Sequence, residues 1–214
     1  MAEEIASGIF ALSLPEPSCN AYFLKGGMVV VDPGMSEESE LAGELKRAGA
    51  SPGGIKSVLL THCHLDHVFN LKWLEKAAVY CGEETLEALK GREEALFPEI
   101  EFELPKNKFV VVKDGQEIML GKSAVRCFAA PGHTRDSTCF LEKASGILFS
   151  GDTLFPTASY GAFPRIFETG SLDELTKTYE KLGKCGARAL ASGHYPLSGE
   201  FAEEIGAALN SARA

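Results

Sequence analysis

The sequence predicts a mixed α/β fold with two similar halves, each of which places strands before a helix. Three observations lead to this prediction. Short apolar segments are bounded by turn residues, amphipathic helical patterns follow them, and the same order returns in the second half of the chain. With 214 residues, of which 45% are hydrophobic, residues 1–214 are expected to form one domain with a sizeable core.

The first half opens with a predicted β-meander. Its apolar segments are separated by prolines and by Gly26-Gly27, which is typical of hairpins. Asp32 closes the last of these strands, where it is either a turn former or a support for a neighbouring metal site. The three predicted strands lie at 8–14, 20–24 and 28–31.

A helix is predicted after this meander. It begins at Ser36 and stops at Gly49, because a small polar residue favours a helix start and glycine favours a helix end. Its apolar face consists of Leu41, Leu45 and Ala48.

Residues 57–70 carry the densest chemical pattern. The apolar run 58–60 predicts a buried strand, and four metal-competent side chains follow within six positions. Alternation along an extended segment directs His62 and His64 to one side and Cys63 away from them. Asp66 and His67 would project from the first turn of a helix. Imidazole together with carboxylate suits zinc, iron or manganese better than calcium or magnesium.

The middle of the chain predicts further elements. These are helices at 70–78 and 83–90, a short strand at 79–80, an irregular stretch at 91–108, a hairpin from 109–112 to 116–120 around Asp114-Gly115, and a strand at 124–129. Near the C-terminus, Ser171 and Glu174 predict the capped start of a helix over 171–182, and another helix is expected at 200–212. The apolar stripe of the capped helix is Leu172, Leu175, Tyr179 and Leu182.

Three more metal-competent residues lie in the second half. His133, Asp152 and His194 each follow a short apolar segment and a small residue, as a side chain at the carboxyl end of a strand does. All five histidines of the chain therefore lie after strands or within the dense motif. This distribution favours one shared site over scattered structural histidines.

Composition disfavours several classes of function. The net charge of −9 disfavours nucleic acid and anionic membrane surfaces as partners. No apolar run approaches the roughly 18 residues of a membrane span, and the N-terminus lacks the features of a signal peptide. The six cysteines show no Cys-x-x-Cys spacing, which favours free thiols in a reducing cytoplasm. We therefore expect a cytoplasmic monomer or homodimer that acts on a small molecule.

The ordered set His-x-His-x-Asp-His, then His, Asp and His, resembles the metallo-β-lactamase superfamily from Asn20 to His194. The resemblance implies an αββα sandwich of two mixed sheets flanked by helices, with two divalent ions at one edge. Zinc is the first expectation, and iron and manganese are the alternatives. One metal would be held by His62, His64 and His133, the other by Asp66, His67 and His194, with Asp152 bridging them. A metal-bridged hydroxide would attack a carbonyl carbon, with Asp66 and Asp152 as the catalytic carboxylates.

Two segments are similar to glyoxalase II, the hydroxyacylglutathione hydrolases. They are residues 151–155 around Asp152 and residues 165–168, which begin with Arg165. This similarity implies thioester hydrolysis, with Arg165 and Tyr160 as substrate contacts. The chain departs from that family at residues 160–164, where the family has a Gly-Cys-Gly run. It also ends soon after His194, so we expect no C-terminal helical domain to complete a glutathione site.

Other functions fit the same residues. A persulfide dioxygenase would hold a single iron with His62, His133 and Asp152. Lactone or β-lactam hydrolysis would use the same two-metal chemistry, and a non-enzymatic metal-binding protein would retain an idle site. In each case we expect an open cleft bordered by the loop after Leu14, the 91–108 stretch and residues 155–167. Aromatic residues would give it a partly apolar wall: Tyr22, Phe155, Tyr160, Phe163 and Phe167.

Overall fold

The structure is a computed structural model that describes residues 1–91, 100 and 102–214. Half of the irregular stretch predicted at 91–108, namely 92–99 and 101, therefore lies outside the described residues. The strands of the first half are β1 (Glu3–Ala6), β2 (Ile9–Leu12), β3 (Ala21–Leu24), β4 (Val29–Val31), β5 (Ser57–Leu59), β6 (Ala78–Cys81) and β7 (Phe109–Val111). Its helices are α1 (Glu38–Arg47), α2 (Leu65–Val68) and α3 (Glu83–Gly91), with short 3-10 helices at Pro52–Gly54 and Phe69–Trp73.

The second half repeats the order of strands before helices. Its strands are β8 (Glu117–Leu120), β9 (Ser123–Ala129), β10 (Thr138–Glu142), β11 (Ile147–Gly151) and β12 (Ala189–Ser192). Its helices are α4 (Thr157–Tyr160), α5 (Leu172–Leu182) and α6 (Phe201–Arg213).

Each half of the chain contributes one mixed sheet. The first sheet runs from β1 to β7 in sequence order, antiparallel as far as β4 and parallel from β4 to β7. The second has the order β12-β11-β10-β9-β8, and only β11 and β12 pair in parallel. The predicted division into two similar halves is confirmed, although β1 and β10 were not anticipated.

Three buried clusters join these sheets and helices into four layers. Leu59 of the first sheet and Phe149 of the second meet in a cluster between the sheets. Leu45 of α1 belongs to the cluster on the outer side of the first sheet, and Tyr179 of α5 and Ile205 of α6 cover the second sheet. Removal of this apolar surface from water is the main force that holds the layers together. The fold is the αββα sandwich that the sequence predicted.

Two predicted helices differ in extent. α1 begins at Glu38 rather than at Ser36, because Glu37 and Glu40 form a reciprocal capping box and the amide of Ser36 donates to the Oδ1 of Asn70 at 3.0 Å. The helix predicted at 70–78 is wrong. The segment forms only a 3-10 helix that ends at Trp73, and the Asn70 amide donates to Pro33 and Ser36 of the loop after β4.

The hairpin predicted between 109–112 and 116–120 is also wrong. β7 pairs with β6 in the first sheet, whereas β8 pairs with β9 in the second. The turn at Asp114-Gly115 carries the chain from one sheet to the other, and the Gly115 amide donates to Cys127 of β9. A turn between two apolar strands has the same local sequence whether the strands pair or separate, so the pattern could not distinguish these cases.

The capped helix α5 follows the prediction except at one residue. Ser171 accepts a hydrogen bond from the amide of Glu174 at 3.4 Å, and Leu175, Tyr179 and Leu182 are fully buried. Leu172, however, is 44% exposed. The apolar stripe predicts which face of the helix a side chain lies on, but not whether a neighbouring element covers that side chain.

No helix within the described part of the chain is both long and apolar enough to cross a membrane.

Candidate metal centre

The strands that precede the predicted ligands end at a common edge. β4 and β5 are parallel neighbours in the first sheet. β9 and β11 both run antiparallel to β10 and so point the same way, and β12 is parallel to β11. The loops at this edge and the short helix α2 carry the predicted ligands, with Asp66 and His67 in the first turn of α2 as predicted: His62, His64, Asp66, His67, His133, Asp152 and His194.

Three histidines form a first group. The possible ligand atoms of His62, His64 and His133 lie within 4.8 Å of one another. The Nε2 of His62 is 2.9 Å from the Nδ1 of His64, and the Nε2 of His133 is 3.3 Å from the same atom. All three residues are buried. The structure thus brings together the three side chains expected to hold one metal.

Asp66, His67 and His194 form a second group, which also lies within 4.8 Å. The Oδ2 of Asp66 is 3.2 Å from the Nε2 of His194 and 3.6 Å from the Nε2 of His67. The His194 side chain is 31% exposed, whereas that of His67 is fully buried. The second group is therefore the one that faces solvent.

Asp152 lies between the two groups. Its Oδ1 is 3.4 Å from the Nε2 of His67, and its Oδ2 is 3.3 Å from the Nε2 of His194 and 3.7 Å from the Nε2 of His133. Gly193 makes this approach possible, because a Cβ at that position would lie 2.1 Å from the Oδ1 of Asp152. One carboxylate thus contacts members of both groups.

Asp32 supports the site from behind. Its Oδ2 is 2.9 Å from the Nδ1 of His67, and its two oxygens accept hydrogen bonds from the amide and the hydroxyl of Thr61 at 2.8 and 2.6 Å. A hydrogen bond at Nδ1 fixes the ring orientation and leaves Nε2 available as a ligand. Asp32 thus combines the two roles considered for it: it contacts a predicted ligand, and its backbone has the left-handed conformation of a turn, with φ of 46°.

Two further histidines have outward contacts of the same kind. The Nδ1 of His62 is 3.0 Å from the hydroxyl of Thr61, and the Nδ1 of His133 contacts the backbone oxygen of Arg165. Cys63 points into the hydrophobic cluster outside the first sheet, as the strand alternation predicted.

The side chains present fit a metal centre. Burial and the neighbouring His133 and His67 lower the pKa of His64 to about 3, so its imidazole is neutral near pH 7, as a metal ligand must be. Burial opposes the charge on Asp152, yet His67 and a hydrogen bond from His194 hold the pKa of its carboxyl well below the usual range. The Nε2 of His67 and the Oδ1 of Asp152 are buried without a hydrogen-bond partner among the described residues. Buried polar atoms rarely lack a hydrogen-bond partner unless an ion or a water molecule binds them.

His194 differs from the first group in its ionisation. Burial acts against a charged ring, but hydrogen bonds with Asp152 and Asp66 raise the pKa of His194 to about 9. A proton on this ring therefore offsets the negative charge of two carboxylates in the metal-free protein. A cation between the same groups would provide the same compensation.

The residues predicted to contact substrate lie on two sides of the centre. Phe167 packs on His64 and His133, with ring centroids 4.5 and 5.2 Å apart, and the guanidinium of Arg165 lies 4.8 Å from the centre of the Phe167 ring. On the other side the ring centroids of Tyr160 and Tyr195 are 5.8 Å apart.

This second side connects to His194. The rings of Tyr195 and Phe155 are 5.1 Å apart, and those of Phe155 and His194 are 6.2 Å apart. Two members of the predicted aromatic wall lie elsewhere. Tyr22 is buried between the sheets, and Phe163 faces Tyr179 of α5.

Sequence reasoning missed three residues of this region. Thr61 precedes His62 directly, and Tyr195 follows His194, so proximity to a predicted ligand could have indicated both. Asn20 bonds to the loop that carries His194, although it lies more than 170 positions away in the chain. No local pattern marks that contact.

The fold and the cluster together define a class of protein: an αββα sandwich with a cluster of metal-competent side chains at the carboxyl ends of strands from both sheets. The sequence profile of the metallo-beta-lactamase superfamily matches residues 14–194, and the chain belongs to this superfamily. The superfamily is one of metal-dependent hydrolases.

Individual proteins agree with this assignment. An uncharacterized protein of Mycobacterium bovis is 30% identical over 160 residues, which cover 66% of this chain and 70% of the relative. The hydroxyacylglutathione hydrolase of Enterobacter sp. strain 638 is 31% identical over 163 residues, which cover 74% of this chain and 53% of the relative. The chain thus spans about half the length of that enzyme.

A solved structure shows the same fold. A metallo-beta-lactamase family protein of Thermus thermophilus superposes with a TM-score of 0.81 at 21% identity, covering 98% of this chain and 80% of that one.

Proposed function

We propose that this protein is a hydrolase that holds two divalent metal ions, zinc in the first place, and cleaves a thioester. The observation that carries the proposal is the position of Asp152, whose two oxygens approach His67 on one side and His133 and His194 on the other. A carboxylate placed in this way can be shared by two cations, whereas a single ion would use only part of the cluster. Three neutral imidazoles in the first group favour zinc over magnesium or calcium.

When bound, the ions supply Lewis acidity toward a carbonyl oxygen and lower the pKa of a water molecule toward about 7. The residues of the chain hold and direct this chemistry. Asp66 contacts His194 through Oδ2, while its Oδ1 accepts no hydrogen bond within the described part of the chain. That oxygen is therefore available to take up a proton. Asp32 and Thr61 fix the imidazoles from behind, so that little reorganisation is needed during the reaction.

The two sides of the centre support an orientation for the substrate. Arg165 lies on the side of the first group. The ring of Phe167 separates its guanidinium from His64 and His133. Tyr195 and Tyr160 lie beyond Phe155, on the side of His194. A thioester with a carboxylate at one end and an apolar arm at the other would meet a cation and an aromatic surface respectively. The similarity to hydroxyacylglutathione hydrolases supports the thioester, without specifying its thiol carrier.

The test is metal analysis of the purified protein combined with a panel of thioesters, lactones, β-lactams and glutathione persulfide. The proposal predicts two zinc ions per chain and the highest kcat/KM with a thioester. One iron with oxygen uptake on the persulfide would instead identify a dioxygenase. Bound metal without turnover of any member of the panel would favour the idle site.

A further inference from the structure

Among the described residues, His194 makes no hydrogen bond at Nδ1, in contrast to three of the other predicted ligands. His62, His67 and His133 are each held at Nδ1 by Thr61, Asp32 or the backbone of Arg165. For His194, the hydrogen bonds and ion pairs seen among the described residues all go from Nε2 to the carboxylates of the site. Its ring is also the most exposed of the set. The orientation of this ligand therefore depends on its backbone as well as on the two carboxylates of the site.

That backbone is held by Asn20, which precedes β3 in the first half of the chain. The Asn20 side-chain amide donates to the carbonyl oxygens of Ser192 and Tyr195 at 3.1 and 2.8 Å, and its own backbone amide donates to Gly193 at 2.6 Å. These carbonyls lie on both sides of His194. Because each acceptor is a carbonyl oxygen, the contacting atom of the side chain must be the amide nitrogen.

Tyr22, which lies in β3, contributes to only one end of this loop. The Tyr22 hydroxyl donates to the carbonyl of Ser192 at 2.7 Å, and that same oxygen is also bound by Asn20. The carbonyl of Tyr195, in contrast, accepts from Asn20 without help from Tyr22. Asn20 is thus the residue that spans the loop, and Tyr22 provides a matched control.

We infer that Asn20 is a positioning residue that sets the metal affinity of the second group (Asp66, His67 and His194) and leaves that of the first group (His62, His64 and His133) unchanged. This inference rests on the proposed two-metal function. Its physical basis is that, among the described residues, no hydrogen bond joins the Asn20 side chain to the first group, whereas the carbonyls that it binds at Ser192 and Tyr195 flank His194. Residues that orient a ligand typically change metal affinity by about 10- to 100-fold.

The experiment measures zinc bound per chain by mass spectrometry after dialysis against graded zinc buffers, for wild type, Asn20→Asp, Asn20→Ala and Tyr22→Phe. Asn20→Asp has nearly the same size but places a carboxylate against two carbonyl oxygens. We expect its second zinc to bind about 10- to 100-fold more weakly, with the first unchanged. Asn20→Ala should likewise weaken the binding of the second zinc, so it provides the same test if Asn20→Asp does not fold. Tyr22→Phe should retain both affinities to within about threefold, since Ser192 keeps its bond to Asn20.

The results separate this inference from the proposed function. Wild type with two zinc ions and thioesterase activity, but Asn20 variants that bind both ions normally, would overturn the inference alone. Variants that lose both ions in parallel would also overturn it, because that pattern reports a general structural defect. Wild type that binds only one zinc in metal-replete buffer would overturn both proposals.

Discussion

Asp152 contacts both groups of ligands, because its oxygens approach His67, His133 and His194. We expect Asp152→Ala to reduce kcat by at least about 100-fold, in line with the several kcal/mol that a metal ion supplies as a Lewis acid. Turnover should be measured together with metal content. Asp152→Asn is the matched control, since it keeps the size of the side chain and removes its charge. Near-normal turnover of Asp152→Ala at full metal occupancy would contradict the proposed bridging role.

Arg165 provides a test of how the substrate binds. It is exposed, and its guanidinium stacks on Phe167 beside the first group of histidines. Arg165→Ala should raise KM for an anionic thioester by about 10-fold, the equivalent of one charged hydrogen bond, and leave kcat nearly unchanged, as expected when uniform binding is lost.

A neutral thioester of the same acyl group provides the control for this variant. Its KM should not respond to Arg165→Ala, and Arg165→Lys should recover part of the loss for the anionic substrate. Equal effects on the two substrates would show that Arg165 acts through the packing of Phe167 and not through its charge.

At the scale of the element, α5 provides a paired test of stability. Leu175 is fully buried in the cluster outside the second sheet, whereas Leu172 is 44% exposed on the same helix. Leu175→Ala should lower the free energy of unfolding by about 2–5 kcal/mol, the range for large-to-small substitutions in a core. Leu172→Ala should change it by about 0.5 kcal/mol or less. Chemical denaturation measures both, and similar losses would mean that Leu172 is covered in solution.

The turn after β12 provides a second test at this scale. A methyl group at Gly193 would lie 2.1 Å from the Oδ1 of Asp152 and 2.9 Å from the Cε1 of His67. Gly193→Ala should therefore displace Asp152 or the turn, and we expect a loss of kcat and metal affinity of about 10-fold or more, comparable to other changes in the support of a metal ligand. At Gly199 an added methyl group meets no atom within 4 Å, so Gly199→Ala should retain the kcat and the metal affinity of the wild type. Wild-type zinc binding by Gly193→Ala would refute this prediction.

For the whole molecule, we predict that metal ions stabilise the fold, because their ligands come from both halves of the chain. Ions that bind only the folded state raise its stability by mass action, by about 2.7 kcal/mol at a free concentration 100 times Kd. Chelation should therefore lower Tm, and readdition of zinc should restore it. Anomalous scattering from zinc-replete crystals should show two adjacent peaks. A single fully occupied peak with an empty second position would count against the two-metal site.

The sequence alone predicted the residues of the candidate metal centre. The seven predicted ligands were recognisable because four form one dense motif after a strand and three follow separate apolar segments, and because the residue types that bind metals are chemically distinct. The amphipathic faces of α1 and α5 followed from local patterns, and the two mixed sheets followed from the resemblance to the superfamily. One domain over the whole chain, a cytoplasmic location and the monomeric or dimeric state are still predictions.

Tertiary structure decided what local patterns do not contain. The turn at Asp114-Gly115 separates two sheets instead of closing a hairpin, and Leu172 lies on the apolar stripe of α5 without being covered. Asn20 holds the loop of His194 across more than 170 positions of sequence. Hydrophobic alternation and residue chemistry specify how a segment folds and what its side chains can bind. Which distant segment completes its hydrogen bonds depends on the packing of the two sheets, because only that packing brings β3 and the end of β12 together.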